Sequence, residues 1–324
     1  MKTYRIKQAG LDVSRIAYGC MQLSTDWDGQ PISSEERVRT ASMVEAALDH
    51  GINLFDHADI YARGKCERLF GELLKQRPSL RQRMLLQSKC GIRLAGEPRT
   101  TSPQRYDFSH DYLLASVEGI LQRLGTDHLD LLLLHRPDPL VRPDEVARAF
   151  DSLLRSGKVR HFGVSNHSAS QIALLQSALD VPLVVNQIEL NLLHHALISD
   201  GLLVNQSGGA CSGSADTLDY CRQHDILVQA WSPLAGGRLG GLLDSMDAAL
   251  RAVAHSVEQV AGELGVASEA VLLAWLLRHP ARIQPVLGTT SASRLAASSR
   301  ADAVDLSREH WYHLLEAARG TRVP

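Results

Sequence analysis

Eight short apolar runs begin near residues 16, 52, 84, 129, 159, 183, 226 and 283, and nearly every one is followed by a stretch of helical spacing. A run that is apolar at successive positions fits a strand covered on both faces. Such strands, separated by helices, belong to parallel sheets. Eight units of this kind match a closed (β/α)8 TIM barrel better than an open doubly wound sheet. Ahead of them, residues 3–7 and 11–14 flank Ala9-Gly10 and predict an N-terminal β-hairpin. Capping serines at 33 and 34 and the stop at Gly51 frame the first helix, and residues 110–124 end at Gly125 in the same way. Residues 91–109 and 191–213 break the rhythm and read as long loops.

Composition narrows the class without fixing it. The 324 residues are 44% hydrophobic and 22% charged, enough apolar material for one large core, so the whole chain is expected to form a single barrel domain. A formal charge of -2 with scattered Lys and Arg does not suit nucleic acid. The start MKTYRIKQAG has polar residues where a secretory signal needs an apolar run, and no segment approaches about eighteen consecutive apolar residues. A soluble cytoplasmic protein, away from membranes, is the expectation. The five cysteines form no C-x-x-C pair and are odd in number, which favours free thiols in a reducing compartment.

Closing the barrel would bring the residues just past each strand to one rim: Gly19-Cys20, Asp56, Lys89, His135, Ser165-Asn166, Gln187, Trp231-Ser232 and Gly288-Thr289. Asp56, Tyr61, Lys89 and His135 make chemical sense together. An unperturbed phenol titrates near ~10, so it donates a proton to a carbonyl oxygen only if its anion is stabilised. A lysine ammonium beside it would do that, an aspartate would keep the lysine charged, and a histidine would add a hydrogen bond to the same oxygen. Such a set suits carbonyl reduction. Several other signatures fail: GGRLGG lacks the dinucleotide-binding spacing, GVSNH has His167 where a nucleophile elbow needs Gly, and no HExxH occurs.

The pattern Asp56-x-Ala58-x-x-Tyr61, then Ser88-Lys89, the run from Asp130 to His135, Gly163-Val-Ser165-Asn166, Gln187 and Ala230-Trp231-Ser232-Pro233-Leu234 resembles the aldo-keto reductase superfamily, in the correct order across almost the whole chain. The resemblance implies a (β/α)8 barrel that uses NADP(H) without a Rossmann domain, acting on a small-molecule carbonyl substrate, as a monomer or weak oligomer. It casts Tyr61 as general acid, Lys89 as the group that lowers its pKa, Asp56 as partner of Lys89, and His135 as the residue that orients the carbonyl. Ser165, Asn166 and Gln187 would hold the nicotinamide carboxamide, and Trp231 would stack on its ring. Gly19, Cys20, Met21, Asp56, Ser232, Leu234, Gly236 and Arg238 would border the rest of the cofactor. Gly288, Thr289, Arg294 and Ser298 fall in the segment that holds the adenosine phosphate. Where many relatives have Lys in that segment this chain has Gly288, and where they have Glu-Asn it has Ala297-Ser298.

Each residue alone has a plainer reading: Asp56 as a helix cap, Tyr61 as a packed aromatic, Lys89 as a turn lysine, Trp231 as core. Trp27 and the two long loops are the candidates for substrate contact. His57 and Asp59, next to Asp56, fit either a site or a solvated turn. Two rival readings stay open, a metal-dependent barrel hydrolase using His57, Asp59 and His135, and a non-enzymatic nucleotide-binding regulatory subunit; the preferred reading needs no metal.

Overall fold

The computed structural model describes residues 1–27, 29–203, 215–240 and 247–324. The strands are β1 (Thr3–Ile6), β2 (Leu11–Ser14), β3 (Ala17–Gly19), β4 (Leu54–Asp56), β5 (Leu85–Cys90), β6 (Ile92–Arg93), β7 (Arg105–Tyr106), β8 (Leu129–Leu134), β9 (Val159–Ser165), β10 (Leu183–Glu189), β11 (Leu227–Trp231) and β12 (Gln284–Leu287). Eight of them close into a barrel in the order β3-β4-β5-β8-β9-β10-β11-β12, and β12 pairs back onto β3 with Leu287 opposite Tyr18. Every pairing in the barrel is parallel. Each apolar run of the sequence therefore falls on a barrel strand.

Alternation along the strands builds the interior in layers. Ile6 and Val13 of the antiparallel hairpin β1–β2 pack with Ala17, Leu54, Leu131, Leu133, Val185, Leu227 and Val286, a small apolar cluster distinct from the outer core. The hairpin thus closes the N-terminal end of the barrel. On the barrel strands Gln87, Gln187, Gln229 and Gln284 are buried, Gln187 two residues past Val185, Gln229 two past Leu227 and Gln284 opposite Gln229. At the C-terminal rim come Asp56, Lys89 and Trp231, and with them the site.

The surrounding helices follow their caps. Helix Ser34–Asp49 starts at a capping box in which Ser33 accepts from the Glu36 backbone and Glu36 reaches back to Ser33. Helix His110–Leu124 ends at Gly125 in a left-handed conformation. The stretch expected to be loop at 91–109 carries the small hairpin β6–β7, stapled by Arg93 to Asp107 at 2.7 Å. Strands of two residues leave no periodicity for a sequence reading to find. In the other long loop a one-turn helix, Ala196–Ser199, follows β10; residues 204–214, with Cys211, lie outside the described residues. Cys20, Cys66, Cys90 and Cys221 are free and buried, as the cysteine count implied for those four. Among the described residues no single helix is long and apolar enough to cross a membrane.

Candidate active site

The exit from β4 is laid against β5 by the backbone. His57 N–H donates to the Gln87 carbonyl at 2.8 Å and Asp59 N–H to the Lys89 carbonyl at 3.0 Å, so the chain past Asp56 runs alongside the lysine before it turns. The turn is tight: Ala62, Arg63 and Gly64 all have positive φ, at 46°, 52° and 80°. Two non-glycine residues in the left-handed region store strain of the order of 1–3 kcal/mol each, which the packing around them must hold. The result is that Tyr61 faces back over Lys89.

Lys89 is fully buried, and its Nζ donates to both oxygens of Asp56 at 2.7 Å and to the His57 carbonyl at 2.7 Å. The same nitrogen lies 5.0 Å from the centre of the Tyr61 ring. His135 meets the same ring edge-on at 6.0 Å. A phenol, an amine, an acid and an imidazole separated along the chain thus share one pocket.

Burial works to lower the Lys89 pKa, but Asp56 and then Tyr61 outweigh it, and the amine is held above its ordinary value. For Tyr61 the balance runs the other way. Burial raises the phenol and Lys89 is the largest opposing influence, yet the net direction is upward. Lys89 pulls the phenol down, as expected of it, and so limits the rise that burial imposes. Burial, with the charges of Lys89 and Arg136, pushes His135 well below the ordinary histidine range, so it is a neutral imidazole.

A cavity of about 780 Å³ opens from these residues, within the usual range for a small-molecule or cofactor pocket. Its lining includes Gly19, Met21, Asp56, Tyr61 and His135, together with Ser165, Asn166, Gln187 and Trp231, and Ser232, Leu234, Gly236, Gly288, Thr289 and Arg294. The wall is internally braced. Asn166, at φ 60°, sends Nδ2 to Ser165 Oγ at 2.8 Å and accepts at Oδ1 from Trp231 Nε1 at 3.0 Å, while Ser165 Oγ donates to the Gln187 carbonyl at 2.8 Å. After β11 the chain curls through Ser232, Ala235, Gly236 and Gly237, all at positive φ, with the Ala235 and Gly237 N–H groups donating to the Ser232 and Leu234 carbonyls at 2.9 Å. A cavity of this size lined by polar side chains, with Arg294 among them, can take a nicotinamide dinucleotide.

Besides Lys89, buried beside Asp56, four expected positions do not line the cavity. Cys20 is fully buried, its thiol directed at the Tyr18 carbonyl. Ser298 is fully buried with no partner for its hydroxyl, on the inner face of helix Ala292–Ser299. Arg238 is exposed, and its neighbours Gly237 and Leu239 line the cavity instead. Trp27, 41% exposed, also lies off the cavity wall. Cys20 turns inward between Gly19 and Met21, which do line the cavity, whereas neither neighbour of Ser298 reaches it.

His57 and Asp59 resolve into supports. The His57 ring packs edge-on against Phe70 at 4.6 Å with neither ring nitrogen partnered, and burial, then Lys89, lowers its pKa to about 3. Burial first, then neighbouring Glu67, pushes Asp59 well up. Among the described residues no three His, Cys, Asp or Glu side chains converge as a metal-ligand set, so His57, Asp59 and His135 do not form the centre that the hydrolase reading needs.

Sequence reasoning missed two features. Arg136, half-buried on the cavity wall, sits with its guanidinium carbon 5.7 Å over the Trp231 ring. The other is the inward row of glutamines, Gln87, Gln229 and Gln284, each at 0% exposure. A glutamine inside an otherwise apolar strand, two residues before a rim residue as in Gln87-Ser88-Lys89 and Gln229-Ala230-Trp231, is the signal that would have found them.

The fold and the pocket together define a barrel enzyme of the carbonyl-reducing type. The sequence profile of the Aldo/keto reductase family matches residues 15–319, and the chain belongs to that family. It is 40% identical over 316 residues to the oxidoreductase YcsN of Bacillus subtilis, covering 97% of each chain. It is 37% identical over 314 residues to a 6-dehydroglucose reductase of Agrobacterium fabrum, again covering 97% of each. Among solved structures it is similar in fold to the glycerol dehydrogenase of Gluconobacter oxydans, with a TM-score of 0.81 at 24% identity, covering 100% of this chain and 97% of that one.

Proposed function

We propose that this oxidoreductase reduces an aldehyde or ketone to an alcohol with NADPH, and that Tyr61 is the proton donor. The observation that carries the reading is Lys89 Nζ fixed between the Asp56 carboxylate at 2.7 Å and the Tyr61 ring at 5.0 Å, with neutral His135 edge-on to that ring. A reduced nicotinamide bound against Trp231, Asn166 and Gln187 would supply a hydride to the carbonyl carbon. His135, lacking a charge of its own, donates a hydrogen bond to the carbonyl oxygen and sets its direction toward Tyr61. Tyr61 then gives up its proton to that oxygen, and the ammonium of Lys89 stabilises the phenolate left behind. Asp56 keeps Lys89 charged in a pocket where burial alone would neutralise it. Arg294 is the candidate for the 2'-phosphate that distinguishes NADPH from NADH, since a guanidinium can engage it bidentately. The protein is proposed to work in the cytoplasm as a monomer or weak oligomer.

The test is NADPH consumption followed by absorbance with a panel of aldehydes and ketones, including polyhydroxylated aldehydes because one relative is named for 6-dehydroglucose. Turnover that collapses in Tyr61→Phe while NADPH still binds supports the reading. Tight NADPH binding with no turnover on any carbonyl would favour the regulatory-subunit alternative.

A further inference from the structure

Gln187, Gln229 and Gln284 occupy matching levels on neighbouring strands: Gln187 is opposite Gln229 in the β10–β11 pairing, and Gln229 opposite Gln284 in β11–β12. Across the barrel, Gln87 is opposite Asp56 in the β4–β5 pairing. Their amides join into one network. Gln284 Nε2 donates to the Ser14 carbonyl at 2.6 Å, and Gln229 Nε2 donates to Gln284 Oε1 at 2.8 Å and to Gln87 Oε1 at 3.1 Å. Gln229 Oε1 accepts from Gln87 Nε2 at 2.8 Å and from Gln187 Nε2 at 2.9 Å. The second hydrogen of Gln87 Nε2 goes to Asp56 Oδ1 at 2.6 Å.

The direction of every amide in this network is determined by its ends. A backbone carbonyl at Ser14 and a carboxylate at Asp56 can only accept, so the amides between them have one mutually satisfied arrangement. Flipping Gln87 would set its oxygen against the Asp56 carboxylate and its nitrogen against a donor. All four glutamines are essentially excluded from water, so an unmatched group would have no solvent to turn to.

We propose that Gln87 is a positioning residue for the Asp56–Lys89 pair, and that Gln229 ties that pair to Gln187 on the cofactor wall. Oδ1 of Asp56 receives both Gln87 and Lys89, so Gln87 fixes the plane of the carboxylate and, through it, the place of the ammonium beside Tyr61. The inference rests on the reductase reading above, and it assigns the glutamine row a part in that chemistry rather than in core packing alone.

Three variants test it in the carbonyl-reduction assay, with folding monitored by circular dichroism. Gln87→Met keeps the bulk and removes the donor; kcat falls about ten- to a hundredfold, the span of one charge-assisted hydrogen bond, with KM for NADPH little changed. Gln87→Glu is nearly isosteric and sets two carboxyls together, which share a proton at low pH. Its activity relative to wild type therefore recovers as pH falls, a signature that a packing defect does not produce. Gln229→Met lowers kcat and weakens NADPH binding together. Wild-type kcat in folded Gln87→Met, or a loss in Gln87→Glu that is the same at every pH, overturns the positioning role while leaving the reductase intact. If Gln87→Met does not fold, Gln87→Glu decides alone. A wild-type protein with no NADPH-dependent turnover overturns the reductase reading, and the positioning role with it.

Discussion

At Tyr61 burial and the neighbouring ammonium pull in opposite directions, and burial prevails in the protein alone. A phenol kept protonated is the form that can donate, and Lys89 matters at the moment the proton leaves. Replacing Tyr61 with Phe removes the donor and leaves the cofactor wall untouched; turnover should fall by roughly 10²- to 10⁴-fold with NADPH affinity nearly unchanged, as measured by steady-state rates and a binding titration. Unaltered turnover would take Tyr61 out of the role. Arg294, also on the cavity, is exposed and lies in the first turn of the helix Ala292–Ser299, where Ser291 caps its backbone N–H. Arg294→Ala should raise Kd for NADPH at least ~10-fold, the scale of a lost charge-assisted contact, and change Kd for NADH little. Equal losses for both cofactors would argue against phosphate recognition there.

Among the elements, the eight strand-forming runs were readable because barrel strands are covered on both faces and so mostly apolar, and long helices announce themselves by caps. The candidate residues Asp56, Lys89 and His135 were readable because they stand at or next to the ends of those strands. What the sequence concealed depends on contacts between elements. The four side chains turned off the cavity, the β6–β7 hairpin and the glutamine row each required knowing which neighbour lies across a face. Glycines show the same division. Gly71 in the helix Lys65–Gln76 and Gly262 in the helix Ala248–Leu264 look alike in sequence, and helix propensity favours Ala at both by about 0.8–1 kcal/mol. A Cβ at Gly71 would lie 2.1 Å from the Arg123 carbonyl oxygen, at the end of helix His110–Leu124, whereas one at Gly262 meets nothing within 4 Å. Gly71→Ala should therefore destabilise by about 1–3 kcal/mol net through overpacking, and Gly262→Ala should stabilise by up to about 1 kcal/mol. Urea unfolding midpoints of the two variants decide it; stabilisation at Gly71 would mean that the helix pair can separate without loss.

Over the whole molecule, the same burial that prepares the rim for chemistry makes folding sensitive to acid. His57, with its pKa lowered to about 3, and His167, lowered to about 4, are held neutral chiefly by burial, and burial holds His135 well below the ordinary histidine value too. For each of them the unfolded chain binds a proton below pH ~6.5 that the folded chain refuses, so the stability they contribute is present above that pH and lost as pH falls toward the folded pKa. Asp59 and Glu67 act in the opposite sense, because burial raises both and the folded state keeps protons that the unfolded chain releases above about pH 4. His57 isolates one contribution cleanly, since its ring touches Phe70 and its nitrogens have no partner among the described residues. Replacing it with Leu removes two unsatisfied buried nitrogens and should leave stability at pH 8 unchanged or higher. Below pH 6.5 the gap between the variant and wild type should then widen by up to about 1.4 kcal/mol per pH unit, because only the wild type must exclude that proton. Parallel urea titrations of the two proteins from pH 8 to pH 5 measure the gap directly. A difference that stays constant across this range would mean that His57 takes up its proton in the folded protein, with a packing around Phe70 looser than the one found.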